Sequence, residues 1–351
     1  MSLVELRIEN LRCIESAALE FSSDLNVIAG ENGAGKTSIL EAVFLLGRGR
    51  SFRTRITERL IRHGQAALTL FGRTDGAPPI AAGIEVSREG TRARINGANA
   101  DSLLDLTAVL PVQAIDPDVH KLIEQGPERR RRWLDWLVFH VEPNFAQHWT
   151  RYQRALKQRN AALRAGSRDV SAWEPALIEA GDAISGYRQR SLDSLKPYFK
   201  KLLGAFAGIE IEIGFSAGWS ADRTLTEALH ANLDKDRERG ITQSGPHRAD
   251  VVVRSQGRTA RETLSRGQQK LTAVAMIVSQ LQLLRAEFGI RATLLLDDPG
   301  AELDAKNVSR LFEELSSLEC QMIATSLAPE TALFQAPNAT FHVEQGRVIR
   351  L

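Results

Sequence analysis

The chain has 351 residues, enough to bury a large core and to form two or three lobes. Its 25% charged and 43% hydrophobic residues are ordinary for a soluble globular protein, and a net charge of +2 points to nucleic acid only if the charge is unevenly placed. Two cysteines far apart, Cys13 and Cys320, argue against a disulfide framework or a zinc site and fit a reducing compartment.

Met1 to Arg7 lacks the basic-then-apolar order of a signal peptide, and the greasy segment from Leu271 to Leu284 is interrupted by Ser279, Gln280 and Gln282. A cytoplasmic, soluble protein with no membrane partner is the expectation.

Leu3-Val4-Glu5-Leu6-Arg7-Ile8 alternates as a half-exposed antiparallel strand does, and Ala18-Leu19-Glu20-Phe21 reads as its partner across the short polar Asn10-Leu11-Arg12-Cys13. The apolar run Leu25-Asn26-Val27-Ile28-Ala29 then enters Gly30-Glu31-Asn32-Gly33-Ala34-Gly35-Lys36-Thr37, the pattern G-x-x-x-x-G-K-T, with an amphipathic segment from Ser38 to Leu46 behind it. Strand, glycine-rich turn and helix in that order are what a phosphate-binding loop requires. Glycines let the backbone curl until several N–H groups face one anion, and the helix adds the positive end of its dipole. Lys36 is expected to reach the β- and γ-phosphates of ATP and Thr37 to offer its hydroxyl to Mg²⁺. Nucleotide contacts are expected along Gly30, Glu31, Asn32, Gly33, Ala34, Gly35, Lys36, Thr37 and Ser38.

A basic segment follows, with Arg48, Arg50, Arg53, Arg55, Arg59 and Arg62. Strands are predicted at Ala67 to Arg73, Ala82 to Ser87 and Ala93 to Gly97, whose Asn96-Gly97 signals a hairpin, and at Leu110 to Ile115. From about Val119 to Arg239 the period turns helical. Gly126-Pro127-Glu128 opens a helix striped with Trp133, Leu134, Leu137 and Val138 and headed by Arg129 to Arg132; further helices are expected over Phe145 to Leu163, Ala172 to Leu203 and Leu225 to Arg239, with a brief strand from Gly208 to Ile213. Strands at Val251 to Val253, Thr293 to Leu296 and Gln321 to Thr325, helices at Gly267 to Phe288 and Lys306 to Ser317, and a last hairpin from Thr340 to Leu351 complete a βα core split by a helical insertion. The expected division is 1–118 and 241–351 for the core and 119–240 for the helical lobe.

Leu294-Leu295-Leu296-Asp297-Asp298 is an apolar strand ending in two carboxylates. Beside the strand that precedes the phosphate loop, Asp297 would hold Mg²⁺ through water and Asp298 would face the γ-phosphate to position or deprotonate the attacking water; an acidic turn is the plain alternative. Leu264-Ser265-Arg266-Gly267-Gln268-Gln269-Lys270 supplies a second anion-friendly helix start, with Ser265 as N-cap and Gly267 permitting close backbone approach. One ATP has little use for both from a single subunit, although a simple capped helix would read the same way.

This last stretch resembles the LSGGQ signature of ABC-type ATPases, with Arg266 in place of the first glycine. The order phosphate loop, Gln113, helical lobe, signature, Asp-Asp strand and Ala301-Glu302-Leu303-Asp304 resembles their SMC-like branch. More closely, Gly49-Arg50-Ser51-Phe52-Arg53, Arg129 to Trp136, Lys157 to Leu163, Ser244-Gly245-Pro246-His247-Arg248-Ala249-Asp250 and Leu264 to Lys270 resemble the RecF family along the whole chain. The resemblance implies an ABC-type ATPase head of mixed sheet with an inserted, mainly helical lobe and no long coiled coil. It implies ATP-dependent homodimerisation, slow DNA-stimulated hydrolysis, binding of single-stranded and duplex DNA and gapped junctions, and RecA loading with RecO and RecR. In this scheme Gln113 senses the γ-phosphate and helps hold Mg²⁺, Ser265 and Gly267 act on the partner protomer's nucleotide, and Arg12 either approaches the nucleotide or is simply solvated. Asp298 stands where transporters carry a longer glutamate. No histidine follows the strand at 321 to 325, where Thr325 or Ser326 would substitute, and a transporter ATPase subunit is the competing reading. The arginines at 48 to 62 and 129 to 132 are the local charge that could meet DNA; His247 and Arg248 could equally be structural.

Overall fold

The computed structural model describes all residues except 168, 207–209, 300–309, 311–312, 316–317 and 329–335. It divides into two compact units, Met1–Val119 with Leu284–Leu351, and His120–Leu283.

In chain order the first unit opens with β1 (Leu3–Leu11), β2 (Ile14–Glu20), β3 (Leu25–Ala29), α1 (Lys36–Arg48), β4 (Ala67–Thr74), β5 (Ala81–Ser87), β6 (Gly90–Ile95), β7 (Ala98–Asn99), α2 (Leu104–Val109) and β8 (Val112–Ile115). Alternation makes β1 two-faced: Leu6 and Ile8 are buried while Arg7 and Glu9 face solvent. It pairs antiparallel with β2, Glu5 opposite Glu20, and the sheet runs β2-β1-β4-β5-β6-β7. Asn96 and Gly97 both adopt left-handed φ, 49° and 84°, and join β6 to β7. The six-residue α2 was not anticipated.

The second unit contains α3 (Lys121–Glu124), α4 (Pro127–Val141), α5 (Phe145–Arg164), α6 (Glu174–Phe206), β9 (Glu212–Ser216), α7 (Leu225–Ala231), α8 (Leu233–Arg239), β10 (Asp250–Ser255), β11 (Arg258–Thr259), α9 (Ala260–Thr263) and α10 (Arg266–Phe288), which runs through the unit boundary. Pro127 at the first helical position starts α4, whose Trp133, Leu134, Leu137 and Val138 are buried, the stripe expected from their spacing. The helix expected over Leu225 to Arg239 is two, because Asn232 turns out of helical geometry and its amide caps the Ala228 carbonyl at 3.0 Å. β9 lies later than the predicted strand, whose residues 208 and 209 are outside the described ones.

The unit boundary differs from the expected residue 240. Residues 241–283 belong with the helices because β10 pairs with β9 and because Trp133 donates its indole N–H to the Met276 carbonyl at 3.2 Å, while Gln280 donates to the Trp133 carbonyl at 2.8 Å. α10 is long and apolar enough to cross a membrane, yet it is mostly buried in protein, and its Ser279 and Gln280 are buried within it.

The first unit resumes with β12 (Thr293–Leu296), β13 (Gln321–Ser326), β14 (Ala339–Glu344) and β15 (Arg347–Arg350). Its second sheet has the order β15-β14-β3-β13-β12-β8, parallel except for β15. The expectation that the acid-bearing β12 lies next to β3 is therefore corrected: β13 stands between them. All six residues of β13 are buried, as a central parallel strand requires, and local sequence carries no information on which apolar strand takes the middle place. The helix expected at Lys306 to Ser317 and the Ala301-Glu302-Leu303-Asp304 stretch fall mostly or wholly outside the described residues.

Candidate functional site

The turn between β3 and α1 is shaped by glycine. Gly30, Gly33 and Gly35 have φ of 154°, 82° and 119°, a region costly for side-chain-bearing residues. At Gly30 a Cβ would also collide with the Val343 carbonyl of β14. Helix α1 starts at Lys36 with Gly35 as a left-handed N-cap and no side-chain cap. Among the described residues the N–H groups of Gly33, Gly35, Lys36 and Thr37 donate to no protein acceptor, so four donors gather at the positive end of a 13-residue helix. Buried Lys36 donates from Nζ to the carbonyls of Gly30 at 2.6 Å and Glu31 at 2.9 Å, and its charge lies within the turn. Burial lowers its pKa, opposed by Asp298 and then Asp297.

The parallel sheet brings the two carboxylates to this turn. Thr37 Oγ1 donates to Asp297 Oδ1 at 3.0 Å, and Thr325 Oγ1, from the end of the intervening β13, donates to the same oxygen at 2.9 Å. Thr325 also accepts the Asp298 N–H at 2.8 Å, and the Asp297 N–H donates to the Ile115 carbonyl at 2.9 Å. The buried Asp297 carboxyl has its pKa raised by burial, partly offset by these hydroxyls. Asp298 adopts a left-handed φ of 47°, which aspartate tolerates better than most residues. Thr325 was anticipated as a stand-in for a histidine; here it is 1% exposed and its one O–H is used to hold Asp297.

Gln113 is not brought to this end. The strand runs on to Ile115, so Gln113 is a buried residue inside β8, paired in register with Leu294, three residues short of the level of Asp297. At about 3.3 Å per residue that is roughly 10 Å of strand. Its assignment as γ-phosphate sensor and metal ligand assumed that it follows the strand.

Arg12, in the β1–β2 turn with φ 53°, donates through Nη2 to Glu41 Oε1 at 2.9 Å and through Nε to the other oxygen. Glu41 is fully buried on α1 and also accepts from the Ser51 hydroxyl, with Arg53 Nη1 3.9 Å away. The bond to Glu41 raises the pKa of Arg12. Sequence reasoning passed over Glu41; the available signal was one acid within an otherwise apolar helix face.

At the start of α10, Ser265 accepts the Gln268 N–H at 3.3 Å and the Gln268 side chain accepts the Ser265 N–H at 2.9 Å, a reciprocal cap. Ser265, Arg266 and Gly267 are exposed, and nothing lies within 4 Å of where a Gly267 Cβ would be. Glycine inside a helix costs about 1 kcal/mol relative to alanine, and no contact within the chain requires it here.

The arginine run at 129–132 is largely engaged internally. Arg130 forms a bidentate pair with Asp250 at 2.9 Å, Arg131 donates to the Ala249 carbonyl at 2.7 Å, Arg129 to Gln125 at 2.7 Å and Arg132 to Glu128.

A phosphate-loop turn, an acid pair at the end of a parallel strand and an antiparallel sheet in the same unit define the nucleotide-binding head of an SMC-like, ABC-type ATPase fold. A sequence model described as RecF/RecN/SMC N terminal domain matches residues 2–348. The DNA replication and repair protein RecF of Pseudomonas aeruginosa (strain LESB58) is 40% identical, with 99% of this chain and 97% of the relative covered; that of Shewanella pealeana (strain ATCC 700345 / ANG-SQ1) is 38% identical, with 99% of both covered. The chain belongs to the RecF family of DNA replication and repair proteins. A solved structure of the recombination mediator protein RecF with ATP in the RecFOR pathway superposes with a TM-score of 0.90 at 26% identity over 100% of this chain and 97% of that one. An SMC head bound to the C-winged helix domain of ScpA, 15% identical with a TM-score of 0.61 over 100% of this chain and 98% of that one, shares the fold.

Proposed function

We propose that this chain binds ATP with Mg²⁺ at the β3–α1 turn, pairs with a second copy over the nucleotide, hydrolyses ATP slowly with stimulation by DNA, and serves cytoplasmic recombinational gap repair. The observation that carries the reading is that the N–H groups of Gly33, Gly35, Lys36 and Thr37 find no acceptor among the described residues, beside a Thr37 hydroxyl that bonds Asp297. The backbone donors and Lys36 bind and orient the phosphates. Thr37 and Asp297 offer two hard oxygens within 3.0 Å of each other, the kind of sparse protein set Mg²⁺ accepts alongside phosphate oxygens and water. When bound, that ion offsets phosphate charge. Asp298 orients the attacking water and accepts its proton, with shorter reach than a glutamate. Arg12, set by Glu41, lies in the turn assigned to the nucleotide's approach.

The exposed Ser265 and Gly267 act in trans, consistent with a glycine that no contact of its own chain requires. Single-stranded and duplex DNA and gapped junctions are the proposed nucleic acids, with RecO and RecR as partners in loading RecA. Sedimentation and ATPase rates of wild type, Lys36→Arg and Ser265→Arg, with and without DNA, test the scheme. ATP should dimerise wild type, and Ser265→Arg should bind ATP yet stay monomeric. Normal dimerisation of Ser265→Arg would remove the trans role.

A further inference from the structure

The Ser244-Gly245-Pro246-His247-Arg248-Ala249-Asp250 stretch takes no part in the nucleotide site proposed above, yet three helices hold it. From α4, Arg130 grips the Asp250 carboxylate and Arg131 the Ala249 carbonyl. From α6, buried Arg188 donates to the Pro246 carbonyl at 2.7 Å while pairing with Asp135 through two bonds. From α5, the Tyr152 hydroxyl meets His247 Nδ1 at 2.7 Å, and His247 Nε2 lies 2.9 Å from the Thr242 carbonyl. Gly245, at φ 136°, lies so close to Tyr152 that a Cβ would collide with its hydroxyl, and the Arg248 N–H closes the turn onto the Gly245 carbonyl at 2.8 Å.

The side chain this brace presents is Arg248. It is exposed, and among the described residues its guanidinium has no hydrogen-bond or ion-pair partner. The nearby acids are committed, Asp250 to Arg130, Asp135 to Arg188 and Glu128 to Arg132. Arg131, half-buried beside the loop, has a carbonyl and, among the described residues, no carboxylate at ion-pair distance. With Arg132 and Glu128 counted, five guanidiniums face three carboxylates, and the surplus lies on Arg248 and Arg131. Both His247 nitrogens are engaged, so the imidazole is not a ligand.

We propose that this braced loop seats one phosphodiester of a DNA backbone, with Arg248 as the contacting guanidinium and Arg131 as the charge behind it. The braced backbone fixes where Arg248 leaves the loop, and a guanidinium fork matches phosphate oxygens. Such a contact sets affinity and register and reads no sequence. The inference rests on the DNA-binding reading above and gives it a residue.

Binding of a labelled blunt duplex as a function of salt, by fluorescence anisotropy, tests it in the full chain. Arg248→Gln should weaken duplex binding several-fold at low salt and flatten the slope of log K against log salt by about 1, the loss of a single phosphate contact. Arg248→Lys, which keeps the charge, should restore most of the slope. ATP affinity and thermal midpoint should match wild type in both. A wild-type slope in Arg248→Gln, beside a wild type that binds duplex, overturns the proposal and spares the wider reading. Lost ATP affinity with duplex binding intact assigns the guanidinium to nucleotide and also overturns it. A wild type that binds no DNA removes the wider reading and this one together.

Discussion

Two polar clusters of this protein, one in each unit, use hydrogen-bonding groups in opposite ways. Around the β3–α1 turn two hydroxyls hold the Asp297 carboxylate and the Lys36 ammonium takes two carbonyls, but among the described residues the N–H groups of Gly33, Gly35, Lys36 and Thr37 are left over. Around the Ser244–Asp250 loop almost everything is satisfied: Arg130, Arg131, Arg188, Tyr152 and His247 all close on loop atoms or on acids beside them. A site made for a ligand retains unmet donors where the ligand sits, whereas a brace meets its own. Substitutions in the first cluster should therefore cost function and spare the fold, and those in the second should cost the fold.

The largest expected effect lies in the brace. Arg188→Ala leaves the Asp135 carboxylate without its bidentate partner and removes the guanidinium over the Trp149 ring, 5.3 Å from its centre. Breaking such a pair costs about 3–5 kcal/mol, to be read as a fall in the denaturation midpoint. A loss below about 1 kcal/mol would mean the loop is held by other means.

Acid sharpens the same contrast. Burial depresses the His247 pKa to about 4, against an ordinary 6.5, so between those values the unfolded chain binds a proton that the native chain does not. Stability from this group is whole above about pH 6.5 and declines as pH falls toward 4, by at most on the order of 3 kcal/mol. Comparing pH-dependent melting of wild type and His247→Gln isolates it; parallel curves would contradict the assignment.

Smaller still is Gly267→Ala. Removing a helix glycine should raise stability by up to about 1 kcal/mol while weakening ATP-driven dimerisation several-fold. Gains in both would mean that no partner surface approaches this helix start.

Much of the candidate site's backbone was legible because it is local: a strand, a glycine turn and a helix start are contiguous from Leu25 to Leu46, and α4 and the hairpins follow from periodicity and turn residues. What escaped depends on distant partners. Nothing near Gln321–Ser326 says that this strand separates β3 from β12, or that its Thr325 will hold Asp297. The apolar run through Gln113 does not mark where β8 ends, and four consecutive arginines look like a surface field until Asp250 and Ala249, over a hundred residues on, take up two of them.

The central claim, that one copy's phosphate loop works with the other copy's α10 start, is tested most directly by mixing two inactive variants. Lys36→Ala and Ser265→Arg should each hydrolyse almost no ATP alone. Mixed in equal amounts, the nucleotide on Ser265→Arg can close only against a Lys36→Ala copy, so the pairs that form are unlike and each carries one intact composite site of two; single-turnover hydrolysis should return to at most roughly half the wild-type amplitude. Silence in the mixture, with unlike pairs confirmed by sedimentation, would contradict the account.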